Sequence, residues 1–303
     1  MMIDLRGRVA IVTGAGGGLG RAHALALATR GAKVVVNDLG GARDGRGGAI
    51  TAAQSVVAEI EAAGGEAIAN GASVTDFAAV EAMVAEAKAK WGRVDILVNN
   101  AGILRDRTFA KMELDDFRAV LDVHLMGSVN CTKAVWDIMR EQAYGRIVMT
   151  TSSSGLYGNF GQAHYGAAKL ALVGLMNTLG LEGARYNVRV NCLSPSAATR
   201  MTEDVLSPEL LELMAPASVA VGVVALASED APNRVVLCAG AGTFERAYVT
   251  LTQGVFIGAG ADAPEKLLAQ FDRVSDRDGE WLPNDGPMQA QAEVAAAQKA
   301  LAA

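Results

Sequence analysis

The sequence predicts an α/β fold, a Rossmann-type doubly wound parallel sheet of seven strands with helices on both faces. Three observations carry that expectation. Short aliphatic and β-branched runs alternate with longer helical patterns from residue 9 to about residue 240. The first run passes at once into a glycine-rich turn and then a helix. Later runs end in small and polar residues, Asn99-Asn100-Ala101-Gly102 and Thr150-Thr151-Ser152, where a parallel sheet opens its ligand crevice.

In order, Val9–Val12 is the first strand, followed by TGAGGGLG (Thr13–Gly20) and a helix over Arg21–Arg30. Gly14, Gly18, Leu19 and Gly20 are candidate cofactor-binding residues, because such a turn lets the backbone approach a diphosphate at a helix N-terminus. The spacing Gly14-x-x-x-Gly18-x-Gly20 differs from GxGxxG. A second strand, Lys33–Val36, ends in Asn37-Asp38. A carboxylate at that point accepts from ribose hydroxyls and repels a 2′-phosphate, so Asp38 favours NAD over NADP. The alternative reading of Asp38 is a turn or cap residue, and Arg43 and Arg46 in the following loop bear on the cofactor choice. A helix (Ala49–Ala63), a strand (Glu66–Asn70), a helix (Asp76–Lys90) and a strand (Val94–Val98) follow. Asn100, Ala101 and Gly102 then read either as the lining of a crevice beside a flat cofactor or as a simple turn. Leu114–Arg140 reads as one long amphipathic helix carrying His124, and a lone histidine on an apolar face is most often a core residue.

The most informative stretch is TTSSSGLYGNFGQAHYGAAK, Thr150–Lys169. It leaves the strand around Ile147–Met149 and enters a helix near Ala163. Tyr165 and Lys169, four apart, share one helix face. Ser152 stands thirteen residues before the tyrosine. An ammonium beside a phenol favours the phenolate, so the pair is expected to make a proton donor with a lowered pKa, with a hydroxyl to hold a substrate oxygen. Beyond it come a strand at Val188–Cys192, an apolar but broken segment at Met201–Ala215 that suits a lid or a structural loop, a helix at Pro216–Ser228 and a strand at Val235–Cys238. Met288–Ala303 reads as a helix or a frayed tail.

Composition excludes several classes of function. The net charge of −6 argues against a nucleic-acid partner. No stretch reaches the ~18 unbroken apolar residues of a membrane span, and the N-terminus lacks a signal-peptide core. Cys131, Cys192 and Cys238 are isolated, so neither a disulfide framework nor a metal site is expected, and a cytoplasmic location is. No linker divides the first 240 residues, so the expected organisation is a dinucleotide-binding catalytic domain over 1–245 and a C-terminal extension over 246–303.

TGAGGGLG, NNAG, Ser152 and YGAAK, in this order and spacing, resemble the short-chain dehydrogenase/reductase family over about residues 5–240. Within that family, VNDLGG (36–41), NNAGILRDR (99–107), HLMGS (124–128), YGRIVMTTSSSGLYGNFGQAHY (144–165) and TRMT (199–202) are similar to the (3R)-hydroxyacyl-CoA dehydrogenase modules of type 2 multifunctional enzymes. The resemblance implies an NAD-dependent enzyme that passes hydride between the cofactor and a secondary alcohol or ketone. (3R)-3-hydroxyacyl-CoA is the leading substrate. A hydroxysteroid dehydrogenase, a 3-oxoacyl-carrier-protein reductase and a non-catalytic nucleotide sensor are the alternatives. It further implies that Tyr165 is the acid–base group, that Lys169 lowers its pKa and binds the nicotinamide ribose, that Ser152 orients the substrate oxygen, and that Thr199 reaches the carboxamide. A homodimer or homotetramer is implied as well. The family's helix asparagine, part of a water relay, is replaced by His124, which the resemblance makes a further candidate catalytic residue, and its aspartate near adenine by Ser73, which with Val74 is a candidate for cofactor binding. No hydratase or sterol-carrier module is expected in residues 250–303.

Overall fold

The computed structural model describes residues 2–41, 50–198 and 207–302. It consists of two compact units, Met1–Arg246 and Ala247–Ala303. The first contains an eight-stranded sheet in the order β3-β2-β1-β4-β5-β6-β7-β8. The strands are β1 (Val9–Thr13), β2 (Lys33–Asn37), β3 (Ala67–Asn70), β4 (Ile96–Asn99), β5 (Gly145–Thr150), β6 (Val188–Ser196), β7 (Val236–Gly240) and β8 (Thr243–Ala247). All pairs from β3 through β7 are parallel. The order reverses between β1 and β4, which opens a crevice at the strand ends there. The central strands β1 and β5 are buried along their whole length, as helices on both faces require.

The helices of this unit are α1 (Gly18–Thr29), α2 (Thr51–Ala62), α3 (Phe77–Trp91), α4 (Leu114–Leu121), α5 (Gly127–Glu141), α6 (Ser153–Tyr157), α7 (Ala163–Gly183), α8 (Pro208–Leu213) and α9 (Pro216–Leu226). Two features depart from the sequence expectation. The eighth strand enters through a two-residue hairpin, with φ of 49° at Ala241 and 76° at Gly242. Two positive-φ residues are what a tight hairpin matching strand twist demands. Leu114–Arg140 is also not one α-helix: a π turn at Asp122–Met126 separates α4 from α5 and carries His124. Such bulges insert one residue into the helical repeat and concentrate at functional sites.

Pro208–Leu226 has the length and mean hydropathy, 1.7, of a membrane span. Ala215 nevertheless breaks it with an extended ψ of 136°, and α9 buries Val219, Val223 and Val224 in the main core. In the second unit, α10 (Ala263–Ala269), α11 (Phe271–Val274) and α12 (Pro287–Ala302) accompany an isolated antiparallel bridge between Leu251 and Trp281.

One core residue predicts an acid weakness. His23 on α1 is fully buried, and neither ring nitrogen has a hydrogen-bond partner. Burial lowers its pKa to about 4. Between pH 6.5 and about 4 the unfolded chain therefore binds a proton that the fold refuses, and stability falls with pH at up to about 1.4 kcal/mol per unit from this group. His23→Leu is expected to remove that slope and to raise stability at neutral pH by about 1–3 kcal/mol, because two unpaired nitrogens are lost. Urea midpoints at pH 7.5 and pH 5 measure both effects. Equal acid sensitivity in the two proteins would refute the assignment.

Candidate active site

The glycine turn between β1 and α1 is built around Thr13 and Asn100. The Thr13 hydroxyl accepts from the backbone N–H groups of Asn100 (3.0 Å) and Ala101 (3.1 Å). The Asn100 amide donates to the carbonyls of Thr13 and Gly14, each at 3.0 Å. Gly14 has a φ of 62°, and a Cβ there would lie 2.8 Å from the Ala101 Cα. A Cβ on Gly20 would collide with the Gly14 carbonyl and with the Asn100 amide. Side chains at either position would therefore push β1 and β4 apart. Gly17 caps α1 without a side-chain bond, so the N–H groups of Gly18, Leu19 and Gly20 lack intrahelical partners. They form an anion-binding end.

Asp38 follows β2 and reaches the same turn. Its Oδ2 accepts from Gly16 N–H and its Oδ1 from Gly40 N–H, both at 2.7 Å. Each carboxylate oxygen keeps lone-pair capacity for a further donor. The cradle thus fits a dinucleotide: unpaired N–H groups for a diphosphate and an anchored carboxylate for ribose hydroxyls. Beyond β3, Ser73 Oγ lies 2.8 Å from Thr75 Oγ1. Val74 is buried against Gly127, and its carbonyl accepts from the Asn130 amide at 2.9 Å. The Asn100 side chain serves to brace the turn, a use the sequence did not reveal. Thr13, the first residue of the TGAGGGLG run, was given no role of its own from the sequence, although it ends the first strand. Thr199, Arg43 and Arg46 lie outside the described residues.

At the end of β5, Ser152 caps α6, its Oγ accepting from Ser154 N–H at 3.2 Å. Gly155 lets α6 seat on α7, since a Cβ there would lie 2.9 Å from the Lys169 Cβ. The Lys169 ammonium lies 5.4 Å from the Tyr165 ring centroid, and the Ser152 hydroxyl is near enough to the phenol to favour its ionised form. Ser152, Tyr165 and Lys169 are thereby brought together.

The electrostatics differ from the sequence expectation. Burial raises the phenol pKa, and the nearby Asp106 carboxylate adds to the rise, against a smaller lowering from Ser152. Lys169 does not lower it in the protein alone, because the lysine is itself desolvated. It is buried, it donates to the Thr150 carbonyl at 2.6 Å, and its pKa falls to about 7.

His124 completes the pocket. Its ring meets Tyr165 edge-on, centroids 5.1 Å apart and planes at 89°. Nε2 lies 2.8 Å from the Ile103 carbonyl and 3.1 Å from the Ile103 N–H, contacts that belong to different tautomers. The shorter one puts the proton on Nε2 and leaves Nδ1 without a partner. Burial, followed by the proximity of Lys169, holds its pKa well below the usual range, so the ring is neutral. The thiols of Cys131 and Cys192 are buried and pushed up to about 12, which makes them inert. Among the described residues no cluster has metal-ligand geometry.

The chain is similar to known proteins in both sequence and fold. The short chain dehydrogenase family model matches residues 8–209. A Mycobacterium tuberculosis protein named as a short-chain type dehydrogenase/reductase is 49% identical over 92% of this chain and 97% of its own length. Mouse peroxisomal multifunctional enzyme type 2 is 54% identical over 74% of this chain, which matches only 30% of that longer protein. Among solved structures, full-length peroxisomal multifunctional enzyme type 2 from Drosophila melanogaster superposes with a TM-score of 0.81 at 37% identity, over 99% of this chain and 51% of that one. A 7α-hydroxysteroid dehydrogenase bound to NADH and 7-oxo glycochenodeoxycholic acid gives 0.70 at 30% identity, covering 79% of this chain and 95% of that one. A family model that spans two thirds of the chain and relatives this similar over most of its length show that the chain belongs to the short-chain dehydrogenase family.

Proposed function

We propose that the protein is an NAD-dependent dehydrogenase that interconverts (3R)-3-hydroxyacyl-CoA and 3-oxoacyl-CoA. The observation that carries the reading is the gathering of Ser152, Tyr165 and Lys169 at the strand ends beside the glycine cradle. In this reading Ser152 holds the substrate oxygen, Tyr165 takes or returns its proton, and Lys169 backs the phenol from within α7. The nicotinamide, when bound, supplies the hydride acceptor or donor. Asp38 supports NAD, because its anchored charge opposes a 2′-phosphate.

The likeness to multifunctional enzyme type 2 supports the acyl-CoA class. So does apolar surface between Ser152 and Tyr165, where Tyr157 and Phe160 are 74% and 89% exposed. Single large apolar side chains at a surface are ordinary, but two beside a candidate crevice suit an acyl chain. Three unpaired cysteines fit a reducing, cytoplasmic setting, and family likeness supports a homodimer or homotetramer.

Initial rates on a panel test this: 3-hydroxyacyl-CoAs of both hands, a hydroxysteroid and a 3-oxoacyl-carrier thioester, each with NAD and NADP. The highest kcat/KM is expected for the 3R acyl-CoA with NAD. Asp38→Ala is expected to narrow the NAD-over-NADP preference by about tenfold, the scale of one lost charge-assisted contact. A wild-type preference for NADP, or for the steroid, would refute the corresponding part.

A further inference from the structure

His164 lies one residue before the proposed acid–base tyrosine, yet nothing in the chemistry above uses it. It is fully buried at the start of α7. Its Nδ1 accepts the backbone N–H of Tyr165 at 2.7 Å. Its Nε2 lies 3.0 Å from the carbonyl of Arg105. These two contacts are mutually consistent: with the proton on Nε2, that nitrogen donates while Nδ1 accepts. His164 is thus fixed in one tautomer. The Phe117 ring from α4 packs beside it, centroids 6.1 Å apart at 53°.

Its two partners are unlike one another. The Tyr165 N–H belongs to the first turn of α7, where N–H groups have no helical acceptor, and Gln162, which caps α7, provides no side-chain bond. The Arg105 carbonyl belongs to the loop that runs from the end of β4 past the pocket. Two further bonds clasp that loop to the approach to α7. Gln162 Nε2 donates to Asp106 Oδ2 at 2.7 Å, and Arg107 N–H donates to the Gly161 carbonyl at 2.9 Å. The Gln162 bond is exposed, and the Gly161 bond is not at the tyrosine. His124 links Ile103 of this loop to the Tyr165 ring by packing, whereas His164, itself buried, joins the loop to the Tyr165 main chain by hydrogen bonds at both ends.

We propose that His164 is a positioning residue that locks the main chain of Tyr165 to the 103–108 loop, so that the phenol and the pocket wall are held in register. This rests on Tyr165 being the acid–base group. Displacing a reacting group by about 1 Å costs on the order of 10²-fold in rate, so such a lock has kinetic weight. The asparagine side chain separates the two contacts: its Oδ1 can accept from the next N–H as Nδ1 does, but it is too short to reach the Arg105 carbonyl.

The test compares wild type, His164→Ala and His164→Asn by amide hydrogen exchange and by steady-state kinetics on the best substrate of the panel. In His164→Ala, exchange is expected to speed up at least tenfold at Tyr165 and through residues 103–108. There kcat should fall at least tenfold and dinucleotide affinity change less than twofold. His164→Asn should restore protection at Tyr165 and bring kcat to within about threefold of wild type. Its 103–108 exchange should stay fast and its substrate KM raised. Unchanged exchange at Tyr165 in His164→Ala, or kcat as low in His164→Asn as in His164→Ala, overturns the proposal. A wild type that oxidises no alcohol overturns the functional reading instead, and the exchange data still decide the lock.

Discussion

Tyr165→Phe is expected to lower kcat by about 10²–10⁴-fold, the range one positioned acid–base group contributes, while dinucleotide affinity changes by no more than a few-fold. The change removes one oxygen, the one that would exchange a proton with a substrate oxygen. The ring itself, packed edge-on against His124, keeps its place. The glycine cradle and Asp38 make no contact through that oxygen, so binding of the dinucleotide is spared. The raised phenol pKa sets the sign of the pH dependence. A protonated phenol is ready to donate to a ketone oxygen, so reduction is supported at neutral pH and declines as the phenol ionises. Alcohol oxidation needs the phenolate and should climb with pH over the same alkaline range. Steady-state rates in both directions across pH check this, and turnover by the Phe variant within tenfold of wild type would remove Tyr165 from the chemistry.

Arg146→Met is expected to cost about 3–5 kcal/mol of folding free energy, in the range found on breaking a buried charged network. For a domain of this size that lowers Tm by on the order of 10 °C. Arg146 is the second residue of β5 and is 0% exposed. Its guanidinium donates to five oxygens: the Ser228, Gly145, Asn187 and Glu229 carbonyls and the Asn187 side chain. Burial lowers its pKa, which measures what the site charges for an ion. A methionine of similar reach fills the space and takes a donor from each of those oxygens, leaving the Asn187 and Ser228 carbonyls only the N–H groups of Gly145 and Ala231. The Tyr144 ring, on which both Arg146 and Arg8 stack at 4.2 and 3.5 Å, would lose one of its two cations. Because the group is remote from the crevice, kcat/KM of the folded variant should match wild type. A Tm shift under 3 °C would show that the carbonyls find other partners.

Much of this was legible in the chain. The glycine turn, Asp38 and the Ser152–Tyr165–Lys169 spacing are local patterns whose chemistry survives without coordinates, and seven of the eight strands follow from apolar runs. The eighth was not visible because Thr243–Ala247 is mostly exposed and carries no buried stripe. Its one signal was the Ala241-Gly242 turn. The π turn left no trace because an inserted residue rotates the apolar stripe of Leu114–Arg140 without breaking it. Pairings far apart in sequence were equally silent: Thr13 with Asn100, His164 with Arg105, and Arg146 with Ser228 and Glu229. The phenol's raised pKa was misjudged because spacing reports the neighbouring charge and says nothing of desolvation, here the larger effect.

Arg8, Asp95, Arg146 and Asn187 all stand where strands begin, while Asp38, Asn100, Ser152 and the Tyr165 helix stand where strands finish. Because parallel strands share a direction, one rim of the sheet anchors the molecule and the opposite rim is left to the reaction. Heat tolerance and substrate choice can therefore drift independently. Laboratory selection confined to the anchoring rim should yield hardier variants whose preferences are untouched.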